Sequence, residues 1–351
     1  MAGYLIENGL YSGKNATKLY YSAWRSDKTK ALLVLLHDLG GHSDRFSSMV
    51  SYFENKNLSF YAADFRGHGK SEGKRGDSDT VLTFVYDIKC LINSIVTRYP
   101  GVPVFLVGEG FGSMVALRYS LVYQRDLAGL VLLSPLVKPS NKNSSLFLLG
   151  ARIASVFSDS FSFSTNVTPE NLTKDKEEIE KIKSDKLIHD RISVRLFDEL
   201  YKNSQFCLDR ASDIHLPILI LTGTADDLSD VSGVEELFTA LGSSDKRFEK
   251  YDGLYHEIMN ELERERMKVL NDVKKWVQDK VSGSAQPKAA AKPAPAAKPA
   301  ASSSAKPAAK KTVKKAAGKK VVKKAVKKVV KKAAKKVVKK AVKKAVKKGS
   351  K

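Results

Sequence analysis

One aspartate and one histidine follow two apolar runs late in the chain, and their side chains suit proton transfer. Asp226 ends the stretch PILILTGTAD, and His256 ends FEKYDGLYH. A carboxylate that accepts a hydrogen bond from an imidazole holds one tautomer, so the other ring nitrogen can take a proton from a nucleophile. We therefore expect the pair to act as acid and base, with the nucleophile placed earlier in the chain.

The position expected for that nucleophile is a glycine-rich corner in residues 102–117, VPVFLVGEGFGSMVAL. An apolar run precedes the corner, and a segment with helical spacing follows it. Strand, sharp turn and helix are typical of the nucleophile elbow G-x-S-x-G, whose serine lies at the top of a parallel sheet. Here the central residue is Gly110, so the attacking atom is missing. Because glycine tolerates the backbone angles of such a turn, we expect the fold to be intact.

Three other serines are poor substitutes for the missing nucleophile. Ser113 lies three residues into the predicted helix and points away from the tip of the corner. Ser71 belongs to a loop, and Ser134 ends the next predicted strand. None is expected to have the base-facing geometry that a nucleophile requires.

Apolar runs of strand length alternate with segments of helical periodicity in the first part of the chain. Residues 31–36 and 58–63 predict buried strands, and residues 79–98 predict a long amphipathic helix. The order βαβαβ with short connections predicts an α/β fold with a mainly parallel sheet and flanking helices. The other predicted elements are two early strands within 4–24, strands at 217–222 and 246–251, and helices at 44–56 and 261–280.

Residues 136–210 interrupt this alternation, and we expect them to form a helical cap over the strand ends. Helical patterns cover 146–157, 169–184 and 188–202, and 161–168 is irregular. The predicted organisation is an α/β core at 1–135 and 211–282, a cap at 136–210, a linker at 283–309 and a basic tail at 310–351.

Four stretches carry a resemblance to a known family. They are LLHDLGGHSDRF, DFRGHGKSEG, the corner strand, and LPILILTGTADDLSDVSG together with YDGLYHEIMNE. With these motifs the first 282 residues resemble the monoacylglycerol lipase and lysophospholipase group of the α/β-hydrolase superfamily, of the serine aminopeptidase S33 type. The resemblance implies an α/β-hydrolase fold, carboxylic ester hydrolysis without a cofactor or metal, and an acylglycerol or lysophospholipid-like substrate.

The resemblance also implies roles for individual residues. Asp226 would be the triad acid, His256 the general base, and Gly110 would occupy the nucleophile position. The backbone amides of Leu39 and Phe111 would form the oxyanion hole, and one such donor contributes roughly 10²–10³ in rate where this has been tested.

The sequence departs from the family pattern at the elbow and beside the oxyanion hole. The family usually has Gly-His-Ser-x-Gly-Gly at the elbow, where this chain has Glu109 for the histidine, Gly110 for the serine and Ser113 for the last glycine. Asp38 stands where the family's His-Gly pair has glycine, so we expect its charge to oppose a developing oxyanion. Two hypotheses follow: an ester hydrolase with lost or weak activity, and a non-catalytic pseudo-hydrolase that serves as a scaffold or ligand-binding protein.

Dinucleotide and metal sites find little support in the sequence. The stretch GEGFGS lacks the G-x-G-x-x-G spacing of a dinucleotide-binding loop. Two distant cysteines, Cys90 and Cys207, predict neither a disulfide framework nor a metal site. Four further histidines are expected to be structural, namely His37, His42, His68 and His189.

Charge is divided unequally along the chain, whose formal net charge is +23. The residues from 283 onward contain 25 lysines, no arginine and no acid, which leaves 36 basic and 38 acidic residues before them. The first part is therefore nearly neutral. Because no apolar stretch is long enough to span a membrane and no secretory signal is evident, we predict a cytoplasmic location, with association to the nucleoid through the tail as an option.

The basic tail repeats two lysines and two small or β-branched residues. A four-residue period drifts by about 40° per repeat on an α-helix, so no constant apolar face forms, and we expect disorder in solution. The charge predicts salt-dependent, non-specific binding to nucleic acid, with an anionic membrane surface and a plain solubility tail as alternatives. The first lysines of the repeat are Lys310, Lys311, Lys314, Lys315, Lys319, Lys320, Lys323 and Lys324.

Overall fold

An eight-stranded sheet forms the centre of the computed structural model, which describes residues 3–54, 57–138 and 162–283. The described residues form ten strands, which are β1 (Leu5–Ser12), β2 (Lys18–Arg25), β3 (Ala31–Leu36), β4 (Leu58–Ala63), β5 (Val104–Glu109), β6 (Gly129–Leu133), β7 (Ser162–Ser164), β8 (Arg191–Ser193), β9 (Ile218–Gly223) and β10 (Lys246–Tyr251). Of these strands, only β7 and β8 lie outside the central sheet, and they pair with each other. The sheet has the order β1-β2-β4-β3-β5-β6-β9-β10. In this order, all neighbouring strands from β4 to β10 are parallel. The pairs β1–β2 and β2–β4 are antiparallel.

Helices flank the sheet and lie mostly in the chain segments that connect its strands. They are α1 (Ser47–Tyr52), α2 (Val81–Arg98), α3 (Phe111–Tyr123), α4 (Pro169–Leu172), α5 (Lys176–Ser184), α6 (Val194–Asp209), α7 (Val231–Ala240) and α8 (Glu263–Gly283). The mainly parallel sheet with flanking helices confirms the predicted fold class.

Two apolar cores lie on opposite faces of the sheet, because successive strand residues point in opposite directions. In β3 all six residues are buried. Leu32 and Val34 join the core that contains α2, α3 and α6, while Leu33 and Leu35 join the core that contains α1 and α8. The continuous apolar runs in the sequence therefore reflect burial on both faces, as expected for parallel strands.

The carboxyl ends of the parallel strands bring four distant loops to one edge of the sheet. Asp38 follows β3, Gly110 follows β5, Asp226 follows β9 and His256 follows β10. Loops after the carboxyl ends of neighbouring parallel strands are where α/β proteins place their ligand sites. The fold thus collects residues that are more than 200 positions apart in sequence.

The segment between β6 and β9 is less regular than the sequence predicts. The predicted helix at 169–184 is divided into α4 and α5, because Asp175 caps a new helix by accepting the amides of Glu177 and Glu178. The predicted helix at 188–202 begins instead as β8, which pairs with β7 in the stretch predicted as irregular, and α6 follows. The predicted helix at 146–157 and the tail at 310–351 lie outside the described residues.

Candidate active site

The corner between β5 and α3 is a sharp strand-to-helix turn. Glu109 ends the strand, Phe111 begins the helix, and Gly110 connects them. Gly110 has φ 51° and ψ −113°, a backbone conformation that favours glycine. Its amide donates to the carbonyl of Leu133 at 3.0 Å, which ties the turn to β6. The turn expected from the sequence is present, with no side chain at its tip.

The carboxylate of Asp38 lies against that bare tip. Its Oδ1 accepts the backbone amide of Phe111 at 2.6 Å. A Cβ built on Gly110 would overlap the Asp38 carboxylate, with Oδ1 as the nearest atom. The space into which a side chain at position 110 would project is therefore filled by the side chain of Asp38.

The predicted acid and base are in direct contact. Nδ1 of His256 donates to Oδ2 of Asp226 at 2.7 Å, and both side chains are buried. Oδ1 of Asp226 accepts the amides of Leu228 at 2.8 Å and Ser229 at 3.1 Å, which fixes the carboxylate. On the opposite side of the ring, Nε2 of His256 lies 3.3 Å from Oδ2 of Asp38. The imidazole is held between two carboxylates.

Electrostatics favour the ionised forms of His256 and Asp38. Burial disfavours the imidazolium, but Asp226 and Asp38 together raise the pKa of His256 well above its ordinary value. Burial likewise disfavours the Asp38 carboxylate, but His256 and the backbone amides of Phe111 and Leu39 lower the pKa of Asp38. The imidazolium and the carboxylate therefore stabilise each other.

The two amides predicted to form the oxyanion hole face Asp38. Phe111 donates its amide to the carboxylate, and the amide of Leu39 contributes to its low pKa. The N-terminus of α3 adds the positive end of a helix dipole to this position. The sequence predicted that Asp38 opposes an oxyanion, but not that its carboxylate lies at these donors, because that proximity joins two residues that are 73 positions apart in sequence. The only sequence signal was an acid at a position where the family has glycine.

A second buried cluster, which was not predicted from the sequence, adjoins the His256 loop. Arg45 forms ion pairs with Glu178 of α5 at 2.7 Å and with Glu257. Glu109 is buried nearby, and burial together with Glu257 and Asp38 raises its pKa well above the ordinary value. Its Oε1 has no hydrogen-bond partner among the described residues. Burial and the neighbouring carboxylates therefore favour the uncharged form of Glu109.

Two of the three other serines, and the four other histidines singled out from the sequence, have structural hydrogen bonds. The hydroxyl of Ser113 donates to the carbonyl of Gly108 at 2.6 Å, and that of Ser71 to the carbonyl of Asp64 at 2.6 Å. Ser134 directly follows β6 and is buried, and its hydroxyl has no hydrogen-bond partner among the described residues. Hydrogen bonds also engage the four histidines expected to be structural, which are His37, His42, His68 and His189.

Comparison with known proteins assigns the chain to a family. The family model described as serine aminopeptidase, S33 matches residues 27–263. The chain belongs to this hydrolase family. Rattus norvegicus monoglyceride lipase is 30% identical over 268 residues, which are 75% of this chain and 88% of the lipase. The predicted resemblance to monoacylglycerol lipase-like α/β-hydrolases is therefore confirmed.

Two further relatives differ in how much of their own length is matched. The crystal structure of Paleococcus ferrophilus monoacylglycerol lipase has a TM-score of 0.68 and 29% sequence identity, over 76% of this chain and 99% of that chain. An uncharacterized abhydrolase domain-containing protein of Dictyostelium discoideum is 28% identical over 282 residues, which are 80% of this chain but 29% of that protein. The likeness to the lipase structure thus extends over nearly the whole of that enzyme.

The described residues contain neither a membrane-spanning helix nor a cluster of metal ligands. No helix within 3–54, 57–138 or 162–283 is long and apolar enough to cross a membrane. The same residues contain no group of three or more histidine, cysteine, aspartate or glutamate side chains that could hold a metal ion.

Proposed function

We propose that this member of the S33 hydrolase family binds acylglycerol or lysophospholipid-like molecules and has lost the serine-dependent hydrolysis of their esters. One observation carries the proposal. The carboxylate of Asp38 accepts the Phe111 amide and lies against Gly110, beside Nε2 of His256. A carboxylate thus occupies the space in which a serine on the elbow would attack.

Two consequences of this arrangement oppose acyl transfer. Gly110 supplies no attacking oxygen, and the amide of Phe111 is already engaged by an anion. An oxyanion that developed beside the Asp38 carboxylate would be repelled, by about 4 kcal/mol for unit charges 4 Å apart at an effective dielectric constant of 20. A repulsion of that size would offset all of what one oxyanion-hole donor contributes, roughly 2.7–4 kcal/mol.

The ligand class is supported by the relatives. Monoglyceride lipases of rat and human are each 30% identical to this chain over 268 residues. The segment between β6 and β9 also contacts the loop that carries Asp38, because the amide of His189 donates to the carbonyl of Gly40 at 3.1 Å. We therefore assign the chain a ligand of the same chemical class, bound without cleavage.

Equilibrium binding with product analysis tests the proposal. The full chain is titrated with a monoacylglycerol and with the matching 1-O-alkylglycerol ether, which cannot be hydrolysed, and released fatty acid is measured in parallel. Similar affinities for the ester and the ether, with no fatty acid release, are expected. Fatty acid release at an ordinary enzymatic rate, or failure to bind either lipid, would refute the proposal.

The lysine-rich tail supports a second function, non-specific binding of nucleic acid. The residues from 283 onward carry 25 lysines and no acid. Lysines that neutralise phosphates release counterions, which gives affinity without sequence preference. The tail also lacks aromatic side chains for stacking on bases. The alternative is that the tail binds an anionic membrane surface. Measuring the affinity of the chain for DNA and for anionic vesicles would distinguish the two partners.

A further inference from the structure

We infer that Asp38 is itself a nucleophile, which attacks a saturated carbon that bears a halide-type leaving group, and that His256 and Asp226 then hydrolyse the resulting ester. The substrate class is an alkyl halide, or a similar alkylating molecule whose leaving group departs as an anion. This activity goes beyond the proposed function and does not depend on acylglycerol binding.

The two oxygens of Asp38 have different surroundings. Oδ1 accepts the Phe111 amide at 2.6 Å, at the N-terminus of α3. Oδ2 lies 3.3 Å from Nε2 of His256, longer than an optimal N–H···O hydrogen bond, and a carboxylate oxygen that accepts one such contact still has a second lone pair for a substrate. The side chain of Asp38 is 17% exposed, whereas that of Asp226 is 0% exposed. Of the two carboxylates that flank the imidazole, only that of Asp38 is exposed to solvent.

A carboxylate at this position suits saturated carbon better than an ester carbonyl. Attack on an ester would form an anhydride and expel an alkoxide, which is far more basic than the attacking carboxylate, so the intermediate would revert. It would also place an oxyanion on the substrate, while the Phe111 amide is bonded to Oδ1 of Asp38. Displacement at saturated carbon creates no oxyanion on the substrate, and carboxylates are established nucleophiles in other covalent mechanisms.

The first step is a displacement in which charge is conserved. Oδ2 of Asp38 forms a bond to the substrate carbon while the carbon–halogen bond breaks, and the electron pair of that bond leaves with the halide. Asp38 becomes a neutral alkyl ester, no proton moves, and nothing is oxidised or reduced. The carbonyl oxygen of this ester is Oδ1, which the Phe111 amide already holds. The Phe111 amide, which binds Oδ1 of Asp38 in the resting site, therefore stabilises the oxyanion that forms on Oδ1 in the second step.

The second step uses His256 as the base. In the resting site Asp226 and Asp38 both favour the imidazolium. Alkylation removes the charge of Asp38, so the pKa of His256 falls and the ring can lose its proton to solvent. Asp226 keeps the neutral ring in the tautomer that has Nε2 free, through the 2.7 Å contact with Nδ1.

Water then completes the cycle. Nε2 of His256 takes a proton from water as the oxygen attacks Cγ of Asp38, and the tetrahedral intermediate expels the alcohol, which receives that proton. Asp38 is left as a carboxylic acid and ionises. The sum of the steps is alkyl halide plus water giving alcohol, halide and one proton, and one oxygen of the Asp38 carboxylate comes from water.

Mass spectrometry of the full chain treated with 1-bromohexane tests the inference. In the His256→Gln variant the base is absent, so one hexyl group per chain is expected to accumulate on the peptide that contains Asp38. The unaltered chain is expected to release 1-hexanol and bromide without accumulating the adduct. In water labelled with ¹⁸O, its Asp38 peptide should gain ¹⁸O.

Two variants in the His256→Gln background serve as controls. Asp38→Asn should abolish alkylation of that peptide, whereas Asp44→Asn, which removes an exposed carboxylate of the same loop, should leave it unchanged. The side chain of Asp44 is 52% exposed. Absence of the hexyl adduct from a folded His256→Gln variant, or equal alkylation after Asp38→Asn, would overturn the inference. Because monoacylglycerol binding is measured separately, failure of this inference is distinguishable from failure of the proposed function.

Discussion

At the scale of single residues, Asp38 and Gly110 form one complementary change. A Cβ at position 110 would overlap the carboxylate of Asp38, whereas removal of that carboxylate would leave the Phe111 amide without its acceptor. Gly110→Ser alone would therefore place its side chain against a carboxylate that a backbone amide and an imidazolium hold in position. Restoring a serine nucleophile requires changes at both positions.

Asp38→Asn is predicted to lower the pKa of His256. The ordinary histidine value is 6.5, and in this site the pKa is raised well above it by Asp226 and Asp38, against the effect of burial. With a raised folded-state pKa, the protonated ring stabilises the fold below the unfolded pKa, and this stability is lost as pH rises through the folded value. In Asp38→Asn the loss should occur at lower pH. Titration of the His256 ring by NMR measures the shift, and an unchanged titration would show that Asp38 does not face the ring.

The residue types of the site were predictable, but their contacts were only partly so. The order of Asp226 and His256 after late strands was enough to predict that they pair, because parallel strands end at one edge of the sheet. The contact of Asp38 with Phe111 was not predictable from periodicity. It depends on how closely the loop after β3 approaches the N-terminus of α3.

At the scale of elements, Arg45 connects the segment after β6 to the His256 loop. It pairs with Glu178 of α5 and with Glu257, next to His256, and the three side chains are 8–11% exposed. Asn260 also donates to Glu257 at 2.9 Å. The position of the His256 loop and that of α5 are therefore linked through one buried guanidinium.

Arg45→Met is predicted to destabilise the protein by about 3–5 kcal/mol, because two buried carboxylates lose the guanidinium that they share. The free energy of unfolding in urea is the measurement. Lys183→Met is the matched control, since it removes exposed ion pairs with Glu170 and Glu180 and should leave the stability unchanged. Equal effects of the two substitutions would contradict the assigned role of Arg45.

The core elements were more predictable than those between β6 and β9. In β3 and β9 a run of apolar residues buried on both faces leaves little choice of structure. Between β6 and β9, charged helical periodicity continues through the break at Thr173, where the Asp175 cap begins a new helix. Hydrogen bonds at helix ends decide such breaks, and hydrophobic periodicity does not reveal them.

At the scale of the whole molecule, the chain combines a nearly neutral hydrolase-family region with a strongly basic tail. Removal of the residues after Gly283 is predicted to abolish salt-sensitive binding to DNA. For the full chain, the logarithm of the binding constant should fall with the logarithm of salt concentration, with a slope near −0.9 for each phosphate contacted. Binding titrations of both chains at several salt concentrations provide the test. If the truncated chain keeps the same affinity and slope, the tail is not the binding element.

Ester hydrolysis by four proteins tests whether Asp38 occupies the place of the nucleophile: the unaltered chain, Asp38→Gly, Gly110→Ser, and the double variant. Monoacylglycerol and a short-chain chromogenic ester are the substrates. Turnover is expected from the double variant, with little from Gly110→Ser and none from the other two. Adding His256→Ala to the double variant should reduce its rate by roughly 10⁴-fold or more. Ordinary enzymatic turnover by the unaltered chain, or equal turnover by Gly110→Ser and the double variant, would contradict the claim that Asp38 occupies the place of the nucleophile.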